Sequence, residues 1–122
     1  MTNLFQWGSV NLSSGQTSSW KIECDSLSTK DWQGLATIAV ELFGLPGRVE
    51  GVPRGGNAFA RQLSFYSTST GPLWLVDDVL TTGASMTRQK GNREAFGVVA
   101  FARGKCPSWI HPIFQMPVAT NE

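Results

Sequence analysis

Leu73-Trp74-Leu75-Val76-Asp77-Asp78-Val79-Leu80-Thr81-Thr82-Gly83-Ala84-Ser85-Met86 is the stretch that decides how this chain is read. An apolar run of strand length, about 73–77, closes on two adjacent carboxylates. A small-residue, hydroxyl-rich turn follows, and then helix-compatible sequence. In an open α/β sheet, ligands bind beyond the carboxyl ends of the strands, so a site is expected here. The turn Thr81–Ser85 can line up successive backbone N–H groups for an anion, reinforced by the start of the following helix. Asp77 and Asp78 would repel a phosphate if they pointed at it. The two features together suit a ligand with a phosphate at one end and hydroxyls or a bound cation at the other. A ribose 5-phosphate has that layout.

The segment Val76-Asp77-Asp78-Val79-Leu80-Thr81-Thr82-Gly83-Ala84-Ser85 resembles the phosphoribosyl-pyrophosphate (PRPP) signature of the type I phosphoribosyltransferases. The resemblance implies that Asp77 and Asp78 contact the ribose 2′- and 3′-hydroxyls. It also implies that Thr81, Thr82, Gly83, Ala84 and Ser85 cradle the 5-phosphate. Without it, the residues describe a buried strand whose polar turn happens to carry two acids. Upstream, Arg48-Val49-Glu50-Gly51-Val52 is a short strand candidate followed by Pro53-Arg54-Gly55-Gly56-Asn57. Paired glycines after a strand allow close backbone approach, and an arginine grips phosphate oxygens through charge-assisted bonds. Such a tripeptide alone also fits a plain turn. Placed before the acid pair, it resembles the family's pyrophosphate loop, which implies pyrophosphate contacts for Arg54, Gly55 and Gly56. It is not a Walker loop, because no Gly-Lys-Ser/Thr follows.

Between loop and signature, the chain departs from the family pattern. Full-size members place a second core strand here and then a long mobile lid, often with a basic residue. Residues 61–72 can hold the end of a helix and a short strand at Leu63–Tyr66, leaving Ser67–Pro72 as a turn without Lys or Arg. A lid excludes water and adds positive charge at the leaving group, so its absence bears on turnover more than on binding. After the signature, Met86–Asn92 carries a brief helix with Arg88, Lys90 and Arg93 as a solvated basic face. Phe96–Ala102 is an apolar run suited to a buried parallel strand. Trp109–Met116 reads as an edge strand, since Pro112 has no N–H for a central ladder. Trp109 fits packing, or stacking on a base. His111 has no catalytic partner nearby in sequence and reads as structural or exposed.

Residues 1–19 read as a short strand or two, with turns at Gly8 and Ser14-Gly15, and Trp20–Cys24 alternates like a half-buried strand. The segment Leu12–Gly15 through Ser18–Lys21 resembles the N-terminal part of orotate phosphoribosyltransferases, which implies a base-pocket role for Lys21. The residues alone also fit an ordinary edge hairpin. Ser28-Thr29-Lys30-Asp31 supplies a helix cap and an acidic first turn. Trp32, Leu35, Ala36, Ala39, Leu42 and Phe43 recur at helical spacing until Gly44 and Pro46 stop the run. A core-facing helix over 29–43 is predicted.

The chain of 122 residues predicts a single domain over 1–122. A formal net charge of +1 offers no electrostatic footprint for nucleic acid, and no basic block suggests a membrane surface. No apolar run is long enough to span a bilayer, and the polar N-terminus lacks a signal-peptide core, so a cytoplasmic protein is expected. Cys24 and Cys106 have no metal-ligand spacing and are expected as two reduced thiols.

The predicted fold is α/β: a phosphoribosyltransferase-like three-layer core with a short, mostly parallel sheet at about 48–52, 73–77 and 96–102. Flanking helices cover it, and a small β-rich hood is expected from the two termini. The resemblance implies a transferase that moves 5-phosphoribosyl from PRPP to a nitrogenous base, an orotate-like pyrimidine as the first choice, releasing pyrophosphate. It implies Mg²⁺ as cofactor, bound through the substrate rather than by direct protein ligands, and a homodimer as partner state. A second reading on the same scaffold is a non-catalytic PRPP or nucleotide sensor. A third is a phosphoacceptor signalling domain, which would place its acids on the first strand rather than in mid-chain.

Overall fold

The computed structural model describes residues 4–11 and 17–117. Helix α1, Thr29–Phe43, starts where the sequence dictates. Asp31 N–H donates to Ser28 Oγ (3.1 Å) and Ser28 N–H donates back to the Asp31 carboxylate (2.9 Å), a reciprocal cap. It buries Trp32, Leu35, Ala36 and Ala39, and ends at Gly44, whose φ of 92° only glycine adopts without strain.

Beyond α1 come β3 (Val49–Gly51), α2 (Asn57–Leu63), β4 (Trp74–Leu80), α3 (Ala84–Lys90), β5 (Phe96–Ala102) and β6 (Ile110–Gln115), preceded by β1 (Phe5–Asn11) and β2 (Thr17–Ile22). The four strands β3-β4-β5-β6 lie in that order, and every pairing is parallel. Alternation over the first half of β4 sends side chains to two cores: Trp74 and Val76 join α1 and α2 on one face, and Leu75 joins Met86 of α3 on the other. Past the acid pair the alternation breaks, with Val79 packed on the first core and Leu80 on the second. Trp74, Leu75 and Val76 are essentially fully buried, each contributing roughly 1.5–3 kcal/mol relative to exposure. The result is the expected α/β/α layering with flanking helices.

Several local expectations change. The signature strand runs to Leu80, because pairing with β5 continues through Asp77↔Val99, Val79↔Phe101 and Leu80↔Ala102. The acid pair therefore lies within the strand. Leu63–Tyr66 is not a strand: α2 runs on into a 3₁₀ turn over Ser64–Tyr66, with Ser64 Oγ donating to Ala60 O at 2.7 Å. Leu63 is buried in this helical stretch, while Phe65 is 81% exposed. Gly8 lies inside β1, where the register with β2 shifts between Trp7 and Val10, a place glycine suits as well as a turn. The strand predicted to reach Cys24 ends at Ile22, and Cys24 opens a short 3₁₀ turn.

The hood is the antiparallel β1–β2 sheet alone. The C-terminal strand β6 instead extends the core sheet as its parallel edge, which tolerates Pro112 because only one flank must be paired. His111 is structural: its ring stacks on Phe96 at 4.1 Å and Nδ1 lies 3.1 Å from Gly97 O. No helix among the described residues is long and apolar enough to cross a membrane.

Candidate functional site

The carboxyl ends of the parallel strands converge on the acid pair. Beyond β4 lies a cavity of about 350 Å³ lined by Asp77, Val79, Leu80, the turn Thr81–Ser85, Met86 and Arg88. The turn is built by Gly83 at φ 84°, a left-handed conformation that a side chain would strain, and Ala84 N–H donates to Thr82 Oγ1 at 3.2 Å. Arg103 N–H holds Leu80 O at 2.8 Å, which ties the end of β5 to the start of the turn.

The glycine-rich loop reaches the same pair from β3. Val52 N–H donates to Val76 O (2.8 Å), and Gly56 N–H donates to Val52 O (2.8 Å), folding the loop against β4. A Cβ on Gly55 would stand 2.6 Å from Asp78 Oδ2, and one on Gly56 would stand 2.6 Å from Val76 O. Gly56 needs glycine because backbone passes where a side chain would be, whereas at Gly55 a side chain would press on the Asp78 carboxylate. Arg54 is exposed on this loop, and the Pro53–Arg54 peptide is cis. The arrangement is two-sided: Asp77 faces the turn cavity, and Asp78 carries the glycine loop.

The carboxylates are bound to local backbone. Asp78 N–H donates to Asp77 Oδ1 (2.8 Å) and Val79 N–H donates to Asp78 Oδ1 (2.7 Å). Burial first, then the hydrogen bond and charge of Asp78, push the Asp77 carboxyl up to about 8. Without ligand, the buried Asp77 carboxyl thus favours its protonated form far more than an exposed carboxylate does. Cys24 is buried, and its thiol is raised far above the ordinary range by burial and by the nearby acids, Asp78 foremost. It is an inert thiol. Cys106 is also free, as expected.

Of the base-pocket candidates, Lys21 is placed only as a strand residue opposite Gln6, and its side chain and Leu12–Gly15 lie outside the described residues. Trp109 takes the packing position that the sequence also allowed. It packs against Gly97, whose N–H donates to Trp109 O at 2.9 Å, with Lys90 Nζ 5.4 Å from the ring centroid. Gly97 lies near the start of β5, level with Leu75. A parallel strand must restart at the amino end of the sheet, so the residue before β6 is carried away from the acid pair.

Arg103 is a further residue whose backbone lies near the site. It follows β5 directly and so stands at the carboxyl end, beside the site. Its Nε and Nη1 atoms are buried with no hydrogen bond, while the side chain keeps other interactions. The signal was available: in a parallel sheet, the first residue after an apolar run faces the same end as the first residue after its neighbour.

The fold is that of the type I phosphoribosyltransferases. The orotate phosphoribosyltransferase of Aeropyrum pernix superposes with a TM-score of 0.71 at 22% identity, covering 92% of this chain and 88% of that one. The orotate phosphoribosyltransferase of Mycobacterium tuberculosis H37Rv gives 0.63 at 14% identity, covering 92% and 89%. The UMP synthase of Leishmania donovani gives 0.67 at 15% identity, covering 93% of this chain and 34% of that protein. No protein-family model matches the sequence, and no curated protein matches it.

Proposed function

We propose that this chain binds PRPP at the carboxyl end of its sheet and transfers the 5-phosphoribosyl group to a nitrogenous base, releasing pyrophosphate. The observation that carries the reading is the acid pair held between two phosphate-type loops, one on each side, at the end of the sheet where α/β proteins bind ligands. Thr81, Thr82, Gly83, Ala84 and Ser85 would take the 5-phosphate, giving binding energy remote from the reacting carbon. Asp77 and Asp78 would hold the ribose hydroxyls as positive charge develops on the ring, a preorganised electrostatic role. Arg54, Gly55 and Gly56 would receive the pyrophosphate. An orotate-like pyrimidine is the first choice of base, since orotate phosphoribosyltransferases share this fold.

Mg²⁺ belongs to the proposal. No group of three acidic, His or Cys side chains gathers among the described residues. Two adjacent carboxylates suit a hard cation that takes most of its oxygens from substrate and water. When bound, it would neutralise charge on the pyrophosphate leaving group. The ribose hydroxyls that share it would lie against Asp77 and Asp78.

A second reading, a PRPP sensor without turnover, is favoured by one feature. The turn that stands where the family carries its lid is tied down at the amino end of the sheet. Thr68 N–H donates to Pro46 O (2.8 Å), Gly71 N–H donates to Thr68 Oγ1 (3.0 Å), and Gly47 N–H donates to Pro72 O (2.7 Å). The test is calorimetric titration of PRPP with and without Mg²⁺, followed by pyrophosphate release with a panel of bases. Saturable binding with release for one base supports the transferase. Binding without release for any base leaves the sensor, and no binding at millimolar PRPP overturns both.

A further inference from the structure

Resting on the phosphoribosyl reading above, we propose that Arg88 is the cation that balances and selects the phosphate in the cavity beyond β4. The sequence places Arg88 on a solvated basic face, but its side chain lines this cavity. Among the described residues it is the one cationic side chain on the wall, and the one acidic side chain there is Asp77. Threonine and serine hydroxyls and backbone N–H groups can solvate a phosphate, but they leave its charge uncompensated, and Asp77 opposes it when ionised. Helix α3 spans only 7 residues, so its dipole is a weak source of compensation. A side chain has to supply the charge.

Arg88 is placed to do so. It stands one helical turn after Ala84 and Ser85 and so shares their face of α3, and long helical side chains lean back toward the helix start. Ala84 has no side-chain donor to offer at the cavity, which leaves room and need for one. The neighbouring arginine is engaged elsewhere: Arg93 makes two bonds to the Glu50 carboxylate, at 2.8 and 2.9 Å, and Arg48 lies 3.0 Å from the same group. No carboxylate among the described residues holds Arg88. Its planar guanidinium is therefore available for a forked contact to a phosphomonoester, which a neutral sugar cannot match.

The experiment compares wild type, Arg88→Gln and Arg88→Lys by calorimetric titration with Mg²⁺-PRPP and, separately, with inorganic pyrophosphate. The expected result is a roughly tenfold weaker PRPP affinity in R88Q, partly recovered in R88K, with pyrophosphate affinity unchanged. The salt dependence of PRPP binding should become shallower in R88Q. Thermal melting of all three proteins should coincide, since Arg88 is exposed and bonded to nothing it would destabilise. Unchanged PRPP affinity in R88Q would make Arg88 an ordinary surface residue and overturn the proposal alone. Equal losses for PRPP and pyrophosphate would also overturn it, by indicating a general field. Failure of wild type to bind PRPP would overturn this inference together with the reading it rests on.

Discussion

Glu50 and Asp77 sit on neighbouring strands and have moved in opposite directions. Glu50, on β3, is held below the usual carboxylate range chiefly by the hydrogen bonds of Arg93, with Arg48 adding a smaller attraction. Asp77, on β4, is pushed up to about 8 chiefly by burial, then by Asp78 beside it. Around Glu50, opposite charges are spent on each other. Around Asp77, two acids are held side by side with no cation bonded to either carboxyl group among the described residues. A region whose electrostatics are closed contributes structure, and a region left electrostatically open is prepared for something that arrives from outside.

The strongest way to break this comparison is to remove the open end. Asp78→Asn should weaken Mg²⁺-PRPP binding by roughly a hundredfold, because it deletes one of only two carboxylates available to the ribose and its cation. Calorimetric titration checks it, and a variant that binds like wild type would mean the pair is scaffold. Gly56→Ala should cost about 2 kcal/mol of folding stability, read by urea denaturation, because the new Cβ meets the carbonyl of Val76. That result would tie the fit of the glycine loop to the strand that carries the acids.

The pH dependences of the two carboxylates have opposite signs. Asp77 in the folded chain keeps a proton that the unfolded chain releases above its ordinary value of 3.8. Its contribution to stability is thus present below about pH 4 and is lost as pH rises toward 8. Asp77→Asn should therefore flatten the fall in melting temperature over that window and stabilise the ligand-free protein by on the order of 1 kcal/mol at its upper end. A variant whose profile parallels wild type would show that Asp77 is ionised throughout. Glu50, held low, contributes stability above its ordinary value of 4.5 that is lost on acidification. Arg93 is exposed and solvent screens the pair from its side, so Glu50→Gln should cost only about 0.5 kcal/mol near neutral pH, measured by chemical denaturation.

Elements with local causes were legible in the sequence. The reciprocal Ser28–Asp31 cap and the Gly44 stop bounded α1, and the apolar run Phe96–Ala102 bounded β5. The acid pair and both glycine-containing loops were also legible, because their residue types have few other uses together. What failed had tertiary causes. The strand at Leu63–Tyr66 failed because the helical bonding of α2 carried on through Ser64 and left Phe65 exposed. For Trp109 the sequence left packing and base stacking open, and the structure places its ring against Gly97.

The sequence alone determined which residue types this protein brings to its site: two acids, a hydroxyl-rich turn, and a loop with paired glycines that allow close backbone approach. Residue type sets those properties wherever the chain goes. The tertiary structure decided which cations share that chemistry. Parallel pairing brings Arg103 to the carboxyl end and returns Trp109 to the amino end. Helical phase turns Arg88 into the cavity, while the β3 edge captures Arg93. Such choices depend on strand direction and helix rotation, which arise only when separate segments pack together.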